Sequence, residues 1–445
     1  MPYRICLISL GCAKNQVNSE QMLYLLNQAG HEVVGEVDGC DVAIVNTCGF
    51  IDSAKSEAID QILQLAEVKK AGGLKKILVT GCLSQRYEND ILESLPEVDG
   101  MLGTGSFGQI CEAVEDVMHD GRPLYFGDKS GPIEEIGRVV TTGPGWAYLR
   151  IAEGCDNWCA FCAIPAIRGR YRSRTLDAIV QEARELADLG VKELIVIAQD
   201  ITKYGMDLPE HKRLLPELLR ELCKMDFTWI RLHYLYPDQI TDELIDVIAD
   251  EPKIVKYLDI PLQHVSKRIL RAMHRPGDGA EFTRLIEDMR ERIPGLVLRT
   301  SLIVGLPGET EDEFAELCEF LQNVGIERVG VFEYSPEEGT EAAELPDQID
   351  EEVKANRRLI VEELQSGVLD DYNTSRHGEV MQVLCEGFDE EQGLWYGRTY
   401  ADSVEVDGHV YFDAEDSEPA EGEFVSVLIT ESLGPDLLGV RQKEA

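Results

Sequence analysis

The chain has 445 residues, of which 44% are hydrophobic and 28% charged, and these proportions predict a soluble globular protein of two or three domains. It shows neither a run of about 18 apolar residues nor a signal peptide, so we expect no membrane span and a cytoplasmic location. In that reducing compartment, 12 cysteines indicate metal binding or catalysis rather than disulfides. The net charge of −41 disfavours nucleic acid and favours a basic partner, or only keeps the surface well solvated.

Residues 1–135 alternate apolar, strand-like runs with helical patterns. The strand candidates are Ile5–Leu10, Val42–Val45 and Ile77–Val79, and the clearest helical patterns are Ser19–Ala29 and Ser53–Val68. Strands that alternate with helices predict a parallel sheet with crossover helices, and hence an N-terminal α/β domain. The Gly- and Pro-bearing stretch Gly127–Gly145 predicts a linker after it.

Residues 141–374 repeat the strand–helix pattern six times. The strand candidates are Tyr148–Ala152, Leu194–Ala198, Trp229–Leu235, Tyr257–Leu262, Val297–Val304 and Val329–Tyr334. This series predicts a partial (β/α)6 barrel with its functional residues at the carboxyl ends of the strands. Residues 375–445 instead show short β-rich runs between Gly and acidic turns, which predict a small C-terminal β-barrel.

The strongest chemical signal is the loop that carries Cys155, Cys159 and Cys162, just after the first barrel strand. Three thiolates at this spacing suit three irons of a cubane cluster and leave the fourth iron open for substrate chemistry. A structural zinc loop is the alternative, but zinc needs a fourth ligand nearby and the next candidate is remote in sequence. We therefore expect a 4Fe-4S cluster on these cysteines.

The CxxxCxxC spacing, with Phe161 before the last cysteine, resembles the signature of radical-SAM enzymes. The continuation Ala163–Gly169 and then Arg172–Arg174 is similar to the methylthiotransferase branch of that superfamily. The resemblance implies that S-adenosylmethionine (SAM) chelates the open iron, and that an electron from the cluster cleaves SAM to a 5′-deoxyadenosyl radical. It also implies a catalytic role for the three cysteines, SAM contact by Phe161, and a flavodoxin- or ferredoxin-like electron donor.

A second set of thiols, Cys12, Cys48 and Cys82, follows three successive apolar runs at intervals of 36 and 34 residues. Such positions fall at one edge of a parallel sheet, so the three thiols are expected to converge, although each alone is also explained as a buried cysteine at a strand end. The motifs SLGCxKN, NTCxF and GCLxQR resemble the N-terminal methylthiotransferase module. That resemblance implies a second 4Fe-4S cluster, which carries the sulfur to be transferred. The other six cysteines are assigned to packing.

Several polar residues and glycines lie at the ends of the proposed barrel strands. From this placement, together with the family resemblance, the candidates for SAM contact are Gln199, Gln263, Ser301 and Gly305. Each polar residue is also explained as a cap on the following loop. Arg168, Arg172 and Arg174 are interpreted as clamps for a carboxylate or the backbone, or as ordinary surface charges.

The family divides by what receives the methylthio group, a tRNA adenosine or an aspartate in a small-subunit ribosomal protein. The C-terminal module resembles a TRAM domain, but residues 375–445 hold 4 Lys and Arg against 17 Asp and Glu, a net charge of −13. This charge opposes RNA binding and favours a basic ribosomal protein. The segment Gly397–Gly408, with Asp402, Glu405 and Asp407, is also similar to the acidic turn of the protein-modifying members.

We therefore expect a methylthiotransferase that acts on the aspartate β-carbon of protein twelve of the small subunit. Two alternatives remain: a tRNA adenosine methylthiotransferase, and a non-catalytic iron–sulfur sensor or ribosome-assembly factor.

Overall fold

The computed structural model describes residues 2–414 and 418–442, which form two compact units. The first unit comprises the chain up to Thr141, Arg150–Ala178 and Ser335–Ala343, and therefore contains all six proposed ligand cysteines. The second comprises Thr142–Leu149, Ile179–Tyr334 and the chain from Glu344 onward. Over the described ranges, no helix combines the length and hydrophobicity needed to cross a bilayer.

The first unit contains a sheet of six parallel strands in the order β2-β1-β3-β4-β5-β6. Its strands are β1 (Arg4–Ser9), β2 (Glu32–Val34), β3 (Cys40–Thr47), β4 (Leu74–Gly81), β5 (Gly100–Leu102) and β6 (Leu124–Tyr125). Its helices are α1 (Ala13–Gln28), α2 (Asp52–Ala71), α3 (Cys82–Arg86), α4 (Glu88–Ser94) and α5 (Ile110–Met118). The predicted N-terminal parallel-sheet domain is confirmed.

Both faces of this sheet are buried, as the side chains of β3 show. Val45 belongs to the same core cluster as Ile62 of α2, whereas Ile44 belongs to the opposite cluster with Met22 of α1. Successive residues of a strand point to opposite faces, so a strand covered by helices on both sides is apolar throughout. This double burial fixes the register of the sheet and therefore the positions of the cysteines that follow its strands.

The second unit contains an open sheet of six strands in the order β14-β13-β12-β11-β10-β7, and its consecutive strands from β10 to β14 pair in parallel. The strands are β7 (Trp146–Arg150), β10 (Glu193–Ile197), β11 (Trp229–Leu232), β12 (Ile254–Asp259), β13 (Val297–Val304) and β14 (Arg328–Glu333). Along the chain between β7 and β10 come β8 (Ala152–Glu153), α6 (Ile164–Arg168) and β9 (Arg172–Ser173), which belong to the first unit, and α7 (Leu176–Asp188), most of which belongs to the second. The later helices are α8 (Leu215–Cys223), α9 (Asp242–Asp250), α10 (Lys267–Ala272), α11 (Gly279–Arg292) and α12 (Glu311–Val324). This is the predicted partial (β/α)6 barrel.

A helix of 25 residues, α13 (Glu351–Ser375), leads to a closed barrel of five strands in the order β15-β16-β17-β19-β18. The strands are β15 (Val380–Asp389), β16 (Leu394–Arg398), β17 (Val410–Asp413), β18 (Phe424–Leu433) and β19 (Asp436–Arg441). Its interior is filled by residues such as Val383, Phe412 and Val427, which are fully buried. The predicted C-terminal β-barrel is confirmed.

The acidic turn between β16 and β17 is engaged within the second unit. Asp402 pairs with Arg328 of β14 at 2.8 Å, and the Tyr257 hydroxyl of β12 donates to Asp407 over 2.6 Å. The sequence linked this turn to the choice of substrate. The structure adds that these two carboxylates anchor the turn to the central sheet.

A buried ion cluster lies beside the same turn. Glu193 of β10 accepts from Arg231 at 2.6 Å and from Arg398 at 2.7 Å, and the three side chains are fully buried. Burial alone raises the pKa of the Glu193 carboxyl, but the two guanidinium charges outweigh it and lower the pKa. The ionised carboxylate therefore compensates two buried cations.

We expect Glu193→Gln to destabilise the second unit by about 3–5 kcal/mol, because it leaves two buried arginines without their shared carboxylate. The midpoint of chemical or thermal unfolding reports this loss. Glu243→Gln is the control, because Glu243 forms an exposed ion pair with Arg220 and its loss is expected to cost less than about 1 kcal/mol. Equal effects of the two substitutions would contradict the assigned role of Glu193.

Candidate functional site

The structure places Cys12, Cys48 and Cys82 at the carboxyl edge of the first sheet. Cys48 directly follows β3, Cys82 directly follows β4 and begins α3, and Cys12 is the residue before α1, shortly after β1. These three strands are neighbours in the sheet and pair in parallel. The register therefore brings together thiols that are far apart in sequence, and we refer to them as the N-terminal triad.

Two glycines allow the backbone to close around this triad. Gly11 has φ +90°, and a Cβ there would lie 2.6 Å from the Cys48 Cβ and 3.2 Å from its Sγ. Gly81 has φ +98°, and a Cβ there would lie 2.5 Å from the Thr47 carbonyl oxygen. Both positions combine a left-handed backbone with contact too close for any side chain, which only glycine satisfies.

Asn15 ties together the strand ends that carry the triad. Its amide nitrogen donates to the carbonyls of Leu10 at 2.9 Å and Thr47 at 3.0 Å, and its oxygen lies 3.8 Å from the Cys82 Sγ. The Asn15 side chain is fully buried. A single amide therefore contacts the chain just before Cys12, the residue before Cys48, and the third thiol itself.

The three thiols of the N-terminal triad differ in acidity. The pKa of Cys12 is lowered. Loss of hydration at the Cys12 sulfur acts to raise this pKa, but the positive charges of Lys14 and Arg168 and the backbone N–H groups of Asn15 and Lys14 have the larger, opposite effect. Burial raises the pKa of Cys48, and it raises the pKa of Cys82 to about 11. A metal must therefore displace protons from these two thiols on binding.

The second set of thiols, Cys155, Cys159 and Cys162, lies in the loop between β8 and α6, and we call it the loop triad. Cys155 and Cys159 are buried and Cys162 is half-buried. The loop is held by its own backbone, because the Cys155 N–H donates to the Gly169 carbonyl over 3.2 Å and the Cys162 N–H donates to the Cys159 carbonyl over 3.0 Å. Phe161 is half-buried beside them.

The segment Ser335–Ala343 supports the loop triad from a distant part of the chain. The Ala342 N–H donates to the Ala160 carbonyl over 2.8 Å. Glu337, whose side chain is 2% exposed, pairs with Arg86 at 2.8 Å and with Lys55 at 3.2 Å. The segment thus connects the loop to α2 and α3 of the same unit.

The two triads lie close to each other within the first unit. Cys82 forms one buried cluster with Ala163 and Ile167, which follow the loop triad directly. Among residues 2–414 and 418–442, no three His, Cys, Asp or Glu side chains gather around a single metal ion. A cubane takes each thiolate on a different iron and does not need the three sulfurs to converge on one ion. The donor set of each triad fits such a cluster.

The four candidates for SAM contact lie in the second unit. Three of them follow strands, but Ser301 lies inside β13 and not at the strand end where the sequence placed it. Gln199 follows β10 and Gln263 follows β12, where the Gln263 N–H donates to the carbonyl of Ser301 in β13 over 2.9 Å. Gly305 follows β13 with φ +75°, its N–H donates to Glu309, and the Lys354 side chain fills the space of a Cβ. Packing against Lys354 is thus enough to explain glycine at this position.

The arginines of the methylthiotransferase-like segment are not surface charges. Arg168 is 2% and Arg174 is 8% exposed, and Arg172 is half-buried. Arg174 pairs with Glu135 at 2.5 Å, and Arg168 donates to both carboxylate oxygens of Glu153 at 3.1 Å. Sequence reasoning did not single out Glu153 or Asn15, although Asn15 stands inside the motif SLGCxKN.

Comparison with known proteins places the chain in a family. Residues 149–321 match the Radical SAM superfamily, residues 4–103 match the uncharacterized protein family UPF0004, and residues 378–441 match the TRAM domain. The chain is 47% identical to "Ribosomal protein uS12 methylthiotransferase RimO" of Lachnoclostridium phytofermentans, over 99% of this chain and 100% of that protein. It is 48% identical to the protein of the same name from Caldanaerobacter subterraneus, over 97% and 98% of the two chains.

The chain belongs to the RimO family of radical-SAM methylthiotransferases. The resemblance inferred from the sequence is therefore confirmed, as is the class of enzyme. Among solved structures, the radical SAM methyltransferase TsrM of Kitasatospora setae matches with a TM-score of 0.57 and 14% identity, over 77% of each chain. At that identity the likeness supports the fold alone.

We expect Gly11→Ala to destabilise the first unit more than Gly30→Ala. The two glycines flank α1 and have similar φ values of +90° and +83°, so both substitutions cost roughly 1–2 kcal/mol of backbone strain. A Cβ at residue 30 meets no atom within 4 Å, whereas one at residue 11 overlaps Cys48. Chemical unfolding of the two variants measures the difference, and equal losses would contradict the close packing at the triad.

Proposed function

We propose that this RimO-family enzyme adds a methylthio group to the β-carbon of an aspartate in ribosomal protein uS12. The observation that carries the proposal is the presence of two triads of cysteines in one compact unit, each able to leave an iron open. Full-length relatives whose names specify uS12 support the choice of substrate. In the product, a carbon–sulfur bond replaces one carbon–hydrogen bond of the aspartate.

The loop triad is proposed to hold the catalytic 4Fe-4S cluster and the N-terminal triad a second one. When bound, a three-thiolate 4Fe-4S cluster binds SAM at its open iron and supplies the electron that cleaves SAM. The chain itself fixes the thiols through the loop backbone and Asn15, and it buries three of the six, Cys82, Cys155 and Cys159. Cys155, Cys159 and Cys162 are thus the proposed catalytic residues, and Cys12, Cys48 and Cys82 the ligands of the second cluster.

The residues proposed to contact SAM are Phe161, Gln199, Gln263, Ser301 and Gly305. Phe161 adjoins a loop-triad ligand, and the Gln263 backbone pairs with Ser301 beyond the carboxyl end of β12. Carboxyl ends of barrel strands are where (β/α) enzymes place their substrates. Because the Gly305 N–H is already bonded to Glu309, its contribution is limited to a close approach of its backbone.

Three functional segments are proposed: residues 1–135 for the second cluster, 141–374 for the radical-SAM core, and 375–445 for docking of the substrate. The last segment carries a net charge of −13. Asp402 and Asp407 are engaged internally, but exposed carboxylates such as Glu390 and Glu391 remain for a basic protein. A flavodoxin- or ferredoxin-like donor in the cytoplasm is proposed to supply the electrons.

Mass analysis of two substrates tests the proposed function. Reduced, reconstituted enzyme is incubated anaerobically with SAM and either uS12 or tRNA. We expect a mass gain of one methylthio group on the uS12 aspartate and none on tRNA. A gain on tRNA alone would show that the adenosine-modifying alternative is right, and absence of SAM cleavage would favour the non-catalytic sensor.

We expect Cys155→Ala to abolish SAM cleavage and to retain roughly half of the iron of the parent chain, because the N-terminal triad keeps its ligands. Chromatography of the nucleoside product and iron analysis provide the two readouts. Cys223→Ala is the matched control, since this cysteine lies on α8 outside both triads and its loss is expected to change neither. Loss of all iron from Cys155→Ala would contradict independent clusters.

A further inference from the structure

Arg168 joins the segment of the loop triad to the N-terminal triad. It ends α6, six residues after Cys162, and only 2% of it is exposed. One of its guanidinium nitrogens donates to the Asn15 side-chain oxygen, which also lies 3.8 Å from the Cys82 Sγ. A cation carried by one cysteine loop is thus held beside the thiols of the other.

Arg168 shares its buried carboxylate partner with a second arginine. Glu153 accepts from Arg168 at 3.1 Å and also from Arg150 at 2.8 Å, so two buried guanidinium groups share one carboxylate. Lys14, which is 6% exposed, adds a further positive charge near Cys12. Arg168 and Lys14 therefore place positive charge beside the position of an anionic thiolate cluster.

The Arg168 guanidinium lies one residue, Asn15, away from the Cys82 thiol. Because an arginine remains protonated at any physiological pH, its charge is permanent. The positive charge of Arg168 would therefore be present beside a cluster held by the three thiolates of the N-terminal triad whether that cluster is oxidised or reduced.

We propose that Arg168 is a positioning residue that raises the reduction potential of the cluster bound by Cys12, Cys48 and Cys82. The inference rests on the proposed second cluster and adds to it a specific control of its redox state. Reduction adds negative charge, so a nearby cation stabilises the reduced form more than the oxidised form. Arg168 lies on α6, the helix that follows the loop triad, so the segment that carries the loop triad also supplies this control of the other cluster.

The test isolates the N-terminal cluster in the full-length chain. Cys155, Cys159 and Cys162 are replaced by Ala together, and the remaining cluster is reconstituted and titrated under anaerobic conditions with EPR detection. Arg168→Gln removes the charge and keeps a hydrogen-bond donor, and Arg168→Lys keeps the charge. Arg150→Gln is the control. Arg150 binds the same Glu153 carboxylate as Arg168 but donates to Gln21, whereas Arg168 donates to Asn15 beside Cys82. Iron and sulfide are counted in every variant.

We expect Arg168→Gln to make the midpoint potential of the cluster more negative by about 59 mV. For a one-electron reduction this shift is a tenfold change in the equilibrium constant between the oxidised and reduced cluster. Arg168→Lys and Arg150→Gln are expected to stay near the parent value. Loss of iron from Arg168→Gln with retention in Arg168→Lys would also support a role of the charge. Unchanged potentials, or equal loss of iron from both Arg168 variants, would overturn the inference.

The same experiment separates this inference from the proposed function. Absence of a cubane from the background in which the loop triad is replaced by Ala would refute the second cluster itself. A cubane whose midpoint potential is unchanged by substitution of Arg168 would refute only the role of the arginine.

Discussion

The parallel register of β1, β3 and β4 is the constraint on which the rest of the site depends. Their pairing places Cys12, Cys48 and Cys82, separated by 36 and 34 residues, at one edge of the sheet. Burial of both faces of the sheet fixes this register, because a slip of one residue would exchange the two cores. The hydrophobic packing of an α/β sheet thus brings to one edge three thiols that are far apart in the sequence.

Buried ion clusters then hold the functional segments in place. In the first unit, Glu153 compensates Arg150 and Arg168 beside the two triads. In the second, Glu193 compensates Arg231 and Arg398 where the acidic turn meets the central sheet. Such clusters tolerate little displacement, since moving one partner leaves a charge buried without compensation. They favour a fixed geometry around groups that must meet a substrate.

Much of the fold was predictable, because strands buried on both faces leave strong apolar signals. The pattern located β1, β3, β4 and the six central strands, but not β2, β5 and β6, which have two or three residues each and too few side chains to form a pattern. The convergence of the N-terminal triad followed from strand order. The burial of Arg168 and the return of Ser335–Ala343 to the first unit did not, since both depend on partners far away in sequence. The internal partners of the acidic turn, such as Arg328, were not predictable either, because the turn was recognised from its resemblance to the protein-modifying members and not from contacts.

The central claim is that each of two thiol triads holds a cubane with one open iron. Mössbauer spectroscopy of the full-length chain, purified anaerobically with iron-57 and examined before and after addition of SAM, tests it most directly. The account predicts two 4Fe-4S clusters per chain, with one iron of a single cluster changing its signal when SAM binds. Zinc in place of iron, or only one cubane per chain, would contradict it.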